Sequence, residues 1–158
     1  MTLEHLGRAL SNLILFGFKG AGKTSFGKQL ANLLQWPFID TDERMLSASG
    51  GSTIRELYLA LGETRFRFLE TEVIRALVGT KRSVIALGGG SVLDPANVAL
   101  LQPLGQFVYL DVDLETLQRR GVSLAVGDLE TVYWKRRSVY ESIPAHKVNV
   151  AMLEAYGL

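Results

Sequence analysis

Gly17-Phe18-Lys19-Gly20-Ala21-Gly22-Lys23-Thr24 decides the fold. The octet matches G-x-x-x-x-G-K-[ST], the spacing of a loop that wraps phosphate. Its glycines permit a compact turn with backbone N–H groups pointing inward, and a helix beginning at its end aims a positive dipole at the same point. The flanks agree with that reading. Asn12-Leu13-Ile14-Leu15-Phe16 is an apolar run that reads as a buried strand, while Phe26, Leu30, Leu33 and Leu34 recur at helical spacing. Lys23 is then placed to reach β- and γ-phosphates, and the Thr24 hydroxyl to ligand Mg²⁺. The motif specifies a nucleotide and leaves the reaction open.

Working outward, short apolar runs alternate with longer helical stretches. Pro37-Phe38-Ile39, Ser83-Val84-Ile85-Ala86-Leu87, Phe107-Val108-Tyr109-Leu110 and Lys147-Val148-Asn149-Val150 read as further strands. Leu57, Leu61, Phe66, Leu69, Val73 and Leu77 mark a helical pair broken near Gly62, and Gly50-Gly51-Ser52 reads as a turn between helices. Leu114 and Leu117, then Leu129, Val132, Tyr133, Val139 and Tyr140, mark the last helices. Near-continuous apolar strands between helices require a parallel sheet covered on both faces, so a five-stranded, three-layer α/β/α domain is expected. Ligands of such sheets lie beyond the carboxyl ends of the strands.

The bulk numbers narrow the classes. The 158 residues suit one domain with one core, and 47% hydrophobic with 21% charged residues is ordinary for a globular chain. A net charge of +1 gives no overall pull toward nucleic acid or anionic membrane. The absence of cysteine excludes disulfides, thiolate nucleophiles and Cys-ligated metals. No apolar run is long enough to span a bilayer, and the first ten residues carry neither an apolar h-region nor a small-residue cleavage site. A cytoplasmic protein is the expectation.

Four features beyond the phosphate loop narrow the chemistry. Asp40-Thr41-Asp42 puts two carboxylates at the end of the second strand. One can steady Mg²⁺ through its water shell, and the other can accept a hydroxyl proton. The plainer reading makes Asp42 the N-cap of a helix starting at Glu43, and the two roles are compatible. Arg67 and Glu70 are three apart and can pair on one helix face. Gly88-Gly89-Gly90 directly follows a strand, where bare backbone admits a ligand and offers N–H donors to an anion. Arg136, with Arg137 beside it, precedes Tyr140 by one helical turn, where an arginine is ordinarily solvated. A carboxylate for a hydroxyl, two arginines for a carboxylate and a glycine floor together describe a pocket for a small polyhydroxy acid.

The ordered set of Gly17 to Thr24, Asp40-Thr41-Asp42, Gly62-Glu63 with Phe66-Arg67 and Glu70, Gly88 to Gly90, and Arg136 with Tyr140 resembles shikimate kinase, over about Asn12 to Val150. The resemblance implies a nucleoside-monophosphate-kinase type of P-loop domain over residues 1–158, with its core at 12–150 and a mobile lid. It also implies transfer of phosphate from ATP to the 3-hydroxyl of shikimate with Mg²⁺, in a monomer. By the same likeness the nucleotide set is Gly17, Lys19, Gly20, Ala21, Gly22, Lys23, Thr24 and Ser25 with Arg120. The metal set is Thr24 and Asp40. The shikimate set is Asp42, Arg67, Gly88, Gly89, Gly90 and Arg136, and Lys23, Asp42 and Arg120 are the catalytic groups.

Two stretches depart from that pattern. The family's lid carries Arg-Pro-Leu, whereas Gly121 to Asp128 is shorter and has no arginine, leaving Arg119 and Lys135 as substitutes. The stretch after Val150 lacks the family's adenine-contacting loop. The alternatives are a gluconate-type or nucleoside-monophosphate kinase of the same fold, or a nucleotide-binding module whose activity is lost or altered.

Overall fold

The computed structural model describes residues 11–157. Five strands form one sheet in the order β2-β3-β1-β4-β5: β1 Asn12–Phe16, β2 Phe38–Asp40, β3 Val84–Ala86, β4 Gly105–Asp111 and β5 His146–Asn149. Every pairing is parallel. The helices are α1 Lys23–Leu34, α2 Thr41–Ser49, α3 Ile54–Leu61, α4 Glu63–Arg75, α5 Pro95–Leu101, α6 Leu114–Arg119, α7 Leu129–Ser142 and α8 Val150–Ala155. The three-layer α/β/α expectation holds, and among the described residues no helix is long and apolar enough to cross a membrane.

The central strands are buried on both faces, as their unbroken apolar runs require. Ile14, Leu15, Phe16, Val84, Ile85 and Leu110 are sealed from water. Asn12 opens β1 from a fully buried position because all its side-chain polarity is satisfied: Nδ2 donates to Thr80 O at 2.6 Å and Leu104 O at 3.0 Å, and Oδ1 accepts from Ser83 N at 3.0 Å. This one side chain fastens the start of β1 to the approaches of both neighbouring strands.

A second, smaller core of Met45, Leu57 and Phe66 lies among α2, α3 and α4. It makes the helices after β2 a packed unit that carries its polar groups at fixed positions. The break near Gly62 is real: α3 ends there and α4 begins at Glu63.

Two expectations need correction. The stripe in α1 closes only in part, for Leu33 is 81% exposed and Leu34 39% exposed. The buried face is set instead by Gly27 and Ala31, since a Cβ on Gly27 would stand 2.5 Å from the Phe38 ring. Small residues let α1 lie close on the sheet, and that turns the two leucines outward. The second correction concerns the cap at the end of β2. Asp40, not Asp42, caps the next helix, with Oδ1 accepting from Asp42 N at 2.9 Å and Glu43 N at 3.3 Å. The helix starts at Thr41, which frees the Asp42 carboxylate from capping duty.

Candidate active site

Each loop leaving the carboxyl end of a strand contributes to one region. The phosphate loop follows β1, Asp40 ends β2, Gly88 follows β3 and α6 follows β4. Gly22 has φ +96° and caps α1 without a side chain, so the first N–H groups of the helix stay open toward the loop. Lys23 is half-buried and folds back into the loop, donating to Gly17 O at 2.7 Å and Phe18 O at 3.1 Å. Burial lowers its pKa to about 8; Asp42 and Asp40 oppose that shift, while Arg136 adds to it. Thr24 Oγ1 donates to Asp40 Oδ2 at 3.1 Å, bringing the two expected metal oxygens together.

A cavity of about 690 Å³ opens beside the loop. Lys19, Asp42, Arg67, Gly88, Gly89, Gly90 and Arg136 all line it, so the structure gathers every expected acceptor residue in one place. Burial, first of all, and then the neighbouring Asp40 raise the Asp42 pKa to about 6, with Lys23 holding it down. A carboxylate so tuned is suited to take a proton near neutral pH.

The glycine triplet has a sharper cause than a bare floor. A Cβ on Gly88 would stand 2.6 Å from Asp42 Oδ1, one on Gly90 2.6 Å from the Arg67 guanidinium nitrogens, and one on Gly89 3.2 Å from Lys19 N and 3.5 Å from Arg136 Nη1. Asp42, Arg67 and the backbone of the phosphate loop converge on this strand end, and each takes the room of one missing Cβ, with Arg136 in ordinary contact beside them. The Gly88 N–H is not open to an anion, because it donates to Thr41 Oγ1 at 3.2 Å. That corrects the expectation of a donor there.

Arg67 is held by two acids. Nη1 donates to Glu70 Oε1 at 2.9 Å and Nε to Glu63 Oε1 at 3.0 Å, which among the described residues leaves Nη2 without such a bond. Glu70 is only 2% exposed, and its other oxygen accepts from Ser91 Oγ at 2.9 Å. Tyr58 and Arg55 escaped the sequence reading although they line the cavity, and Glu63, quoted in the motif set, was given no role there. Glu63 could have been found from its i,i+4 spacing to Arg67; Tyr58 and Arg55 carry no comparable signal.

Helix α7 sends its two arginines different ways. Arg137 turns to Asp111 and Glu141, while Arg136 enters the cavity with its guanidinium 5.6 Å from the Phe18 ring centre. Tyr140, one turn later, is buried and donates to Gly89 O, joining α7 to the glycine triplet.

Arg120 belongs to the other side of the phosphate loop. Its Nη1 donates to Gly20 O at 2.6 Å, and its Nη2 pairs with Glu154 on α8. With Ala21, Gly22, Ser25 and Leu153 it borders a second cavity of about 270 Å³. The residues after Val150 therefore form a short helix over this cavity. Arg119 also pairs with Glu154, at 3.2 Å, away from the acceptor cavity, so of the two lid substitutes only Lys135 lines that cavity.

A family model described as shikimate kinase matches residues 19–153. The shikimate kinase of Pelotomaculum thermopropionicum is 36% identical over 154 residues, covering 91% of this chain and 88% of its own. That of Geobacter sulfurreducens is 40% identical over 134 residues, covering 85% and 71%. The solved shikimate kinase of Acinetobacter baumannii, in complex with shikimate, superposes with a TM-score of 0.77 at 31% identity, covering 91% of this chain and 86% of that one.

Proposed function

We infer the reaction from one premise: this chain belongs to the shikimate kinase family. It moves the γ-phosphate of ATP to shikimate. The observation that carries this reading is the shared cavity, where a phosphate loop meets a tuned carboxylate and two arginines across a strand end stripped of side chains. The transfer goes to the 3-hydroxyl, giving shikimate 3-phosphate and ADP.

Each residue has a role that follows from its place. Arg67, through the open Nη2, and Arg136 grip the shikimate carboxylate, and their fixed fork suits a planar anion. Asp42 takes the proton of the attacking hydroxyl. That oxygen forms its bond to the γ-phosphorus as the bond to the β–γ bridging oxygen breaks, and ADP leaves with the electron pair. Lys23 exchanges the Gly17 and Phe18 carbonyls for phosphate oxygens, which restores the protonated form that burial disfavours. Arg120 steadies the nucleotide from the side of the smaller cavity.

Among the described residues no group of three acidic or histidine side chains could form a protein-only metal cage. The donor set Thr24 and Asp40 fits Mg²⁺ nonetheless, because this ion keeps its waters and needs few carboxylates when phosphates supply the rest. Those two residues would hold the ion, which supplies neutralisation of charge on the β- and γ-oxygens.

The chain acts as a single-domain monomer in the cytoplasm, with residues 121–128 as a short lid. Coupled measurement of ADP release tests the reaction, with shikimate, quinate and gluconate offered in parallel. Release dependent on shikimate is the expected result. Equal release with gluconate, or none beyond the rate with ATP alone, would contradict it and leave a gluconate-type kinase or a nucleotide-binding module.

A further inference from the structure

The segment joining α6 to α7 is poor in charge. From Gly121 to Asp128 its one charged side chain is Asp128, which accepts from Thr131 N at 3.0 Å and caps α7. Cations reach this segment from outside: Lys19 Nζ donates to Ser123 O at 2.7 Å, and Arg55 Nη1 lies 3.5 Å from Leu124 O.

Lys19 joins the phosphate loop to the acceptor cavity. Its backbone lies inside the phosphate loop, five residues before Thr24, and its side chain borders the acceptor cavity. Its amide nitrogen is 3.2 Å from where a Gly89 Cβ would sit, so Lys19 marks the seam between loop and acceptor wall. A phosphoryl group leaving the nucleotide for the acceptor must cross that seam. Arg136 Nη1 also approaches the seam, 3.5 Å from the same Gly89 position, and is assigned to the acceptor's carboxylate; three further cations are held elsewhere. Lys23 faces the loop's own carbonyls, Arg67 is shared by two acids, and Arg120 pairs with Glu154 on the far side.

We propose, resting on the kinase reading above, that Lys19 is a further catalytic residue, whose ammonium moves from the Ser123 carbonyl to a non-bridging oxygen of the phosphoryl group in transit. The exchange is favoured because the ammonium then meets an anionic oxygen in place of a neutral carbonyl, which adds attraction between opposite charges. The side chain is exposed and flexible, with one neutral partner to leave. Its charge is unchanged through the step: the hydroxyl proton still goes to Asp42 and the electron pair still leaves with ADP. Stabilisation falls on the three equatorial oxygens, where charge is greatest as the old bond breaks and the new one forms.

The test is steady-state kinetics of Lys19→Met and Lys19→Arg with ATP and shikimate, each variant checked by thermal melting. Lys19→Met is expected to lose about 100-fold in kcat, the size of one lost oxyanion donor. Both KM values should stay within about threefold, because the contact is made in the transition state. Lys19→Arg should regain most of the rate, and neither variant should melt lower. A kcat within about threefold of wild type in Lys19→Met overturns the proposal, as does a rise in KM with kcat unchanged, which would make Lys19 a tether only. Wild-type protein that turns over no shikimate overturns the kinase reading and this proposal with it, whereas normal wild-type turnover with an unaffected Lys19→Met overturns this proposal alone.

Discussion

The phosphate loop, which borders the acceptor cavity through Lys19, and the acceptor wall are built to hold ligands by opposite means. The loop works through backbone: its donors are main-chain N–H groups, and its geometry is set by Gly22 in a left-handed turn and by a strand sealed in the core. The wall works through side chains from three separate elements, Asp42 on α2, Arg67 on α4 and Arg136 on α7, brought together over the glycine triplet. A contiguous backbone device needs one stretch of sequence. A side-chain device needs a tertiary structure to exist at all.

The contrast orders the consequences of substitution. Lys23→Ala breaks the loop side and should have the largest effect, a loss of 10³-fold or more in kcat, since removal of a group acting on the transferring phosphate costs about that much. Turnover within tenfold of wild type would remove the loop from the chemistry. Arg67→Ala breaks the wall side, costing about 2–4 kcal/mol of desolvated ion pairing. That corresponds to a KM for shikimate raised roughly 30-fold to several hundred-fold, with the KM for ATP little changed. The same variant strips buried Glu70 of its cation, so its melting temperature should fall as well. An unchanged KM for shikimate would detach the wall from the acceptor.

The smallest effect is the pH dependence, which reads both sides at once. Burial raises Asp42 to about 6, and it must be ionised to accept a proton, so kcat/KM should fall as pH drops through about 6. Burial lowers Lys23 to about 8 in the empty site, so kcat/KM for ATP should decline as pH rises through about 8 and its charge is lost. A profile flat from pH 5 to 9 would mean that neither group titrates in the reaction.

The same contrast explains what the sequence could reveal. β1 was legible to the residue because an unbroken apolar run precedes a motif whose spacing is itself geometry. The phosphate-loop glycines were legible for the same reason. Asp42 was singled out with capping as its plainer alternative, and the structure gives the cap to Asp40, a choice composition could not make because aspartate caps equally well at either position. Only the family resemblance told Arg136 from Arg137, because adjacent helical residues differ by the face they turn to the sheet, and that face is fixed by packing such as buried Tyr133 and Tyr140. The reason for three glycines in a row was hidden too. It lies in Asp42, the Lys19 backbone and Arg67, which are remote in sequence and meet only when the strands are ordered.

The union of loop and wall in one site is tested most directly through Asp42, measured as shikimate-dependent kcat and ATP affinity in Asp42→Asn. A loss of about 100-fold or more in kcat with ATP affinity unchanged is predicted, because the proton acceptor is gone while the nucleotide's contacts remain. Weakened ATP binding with kcat intact would place Asp42 on the nucleotide and separate the two halves of the site.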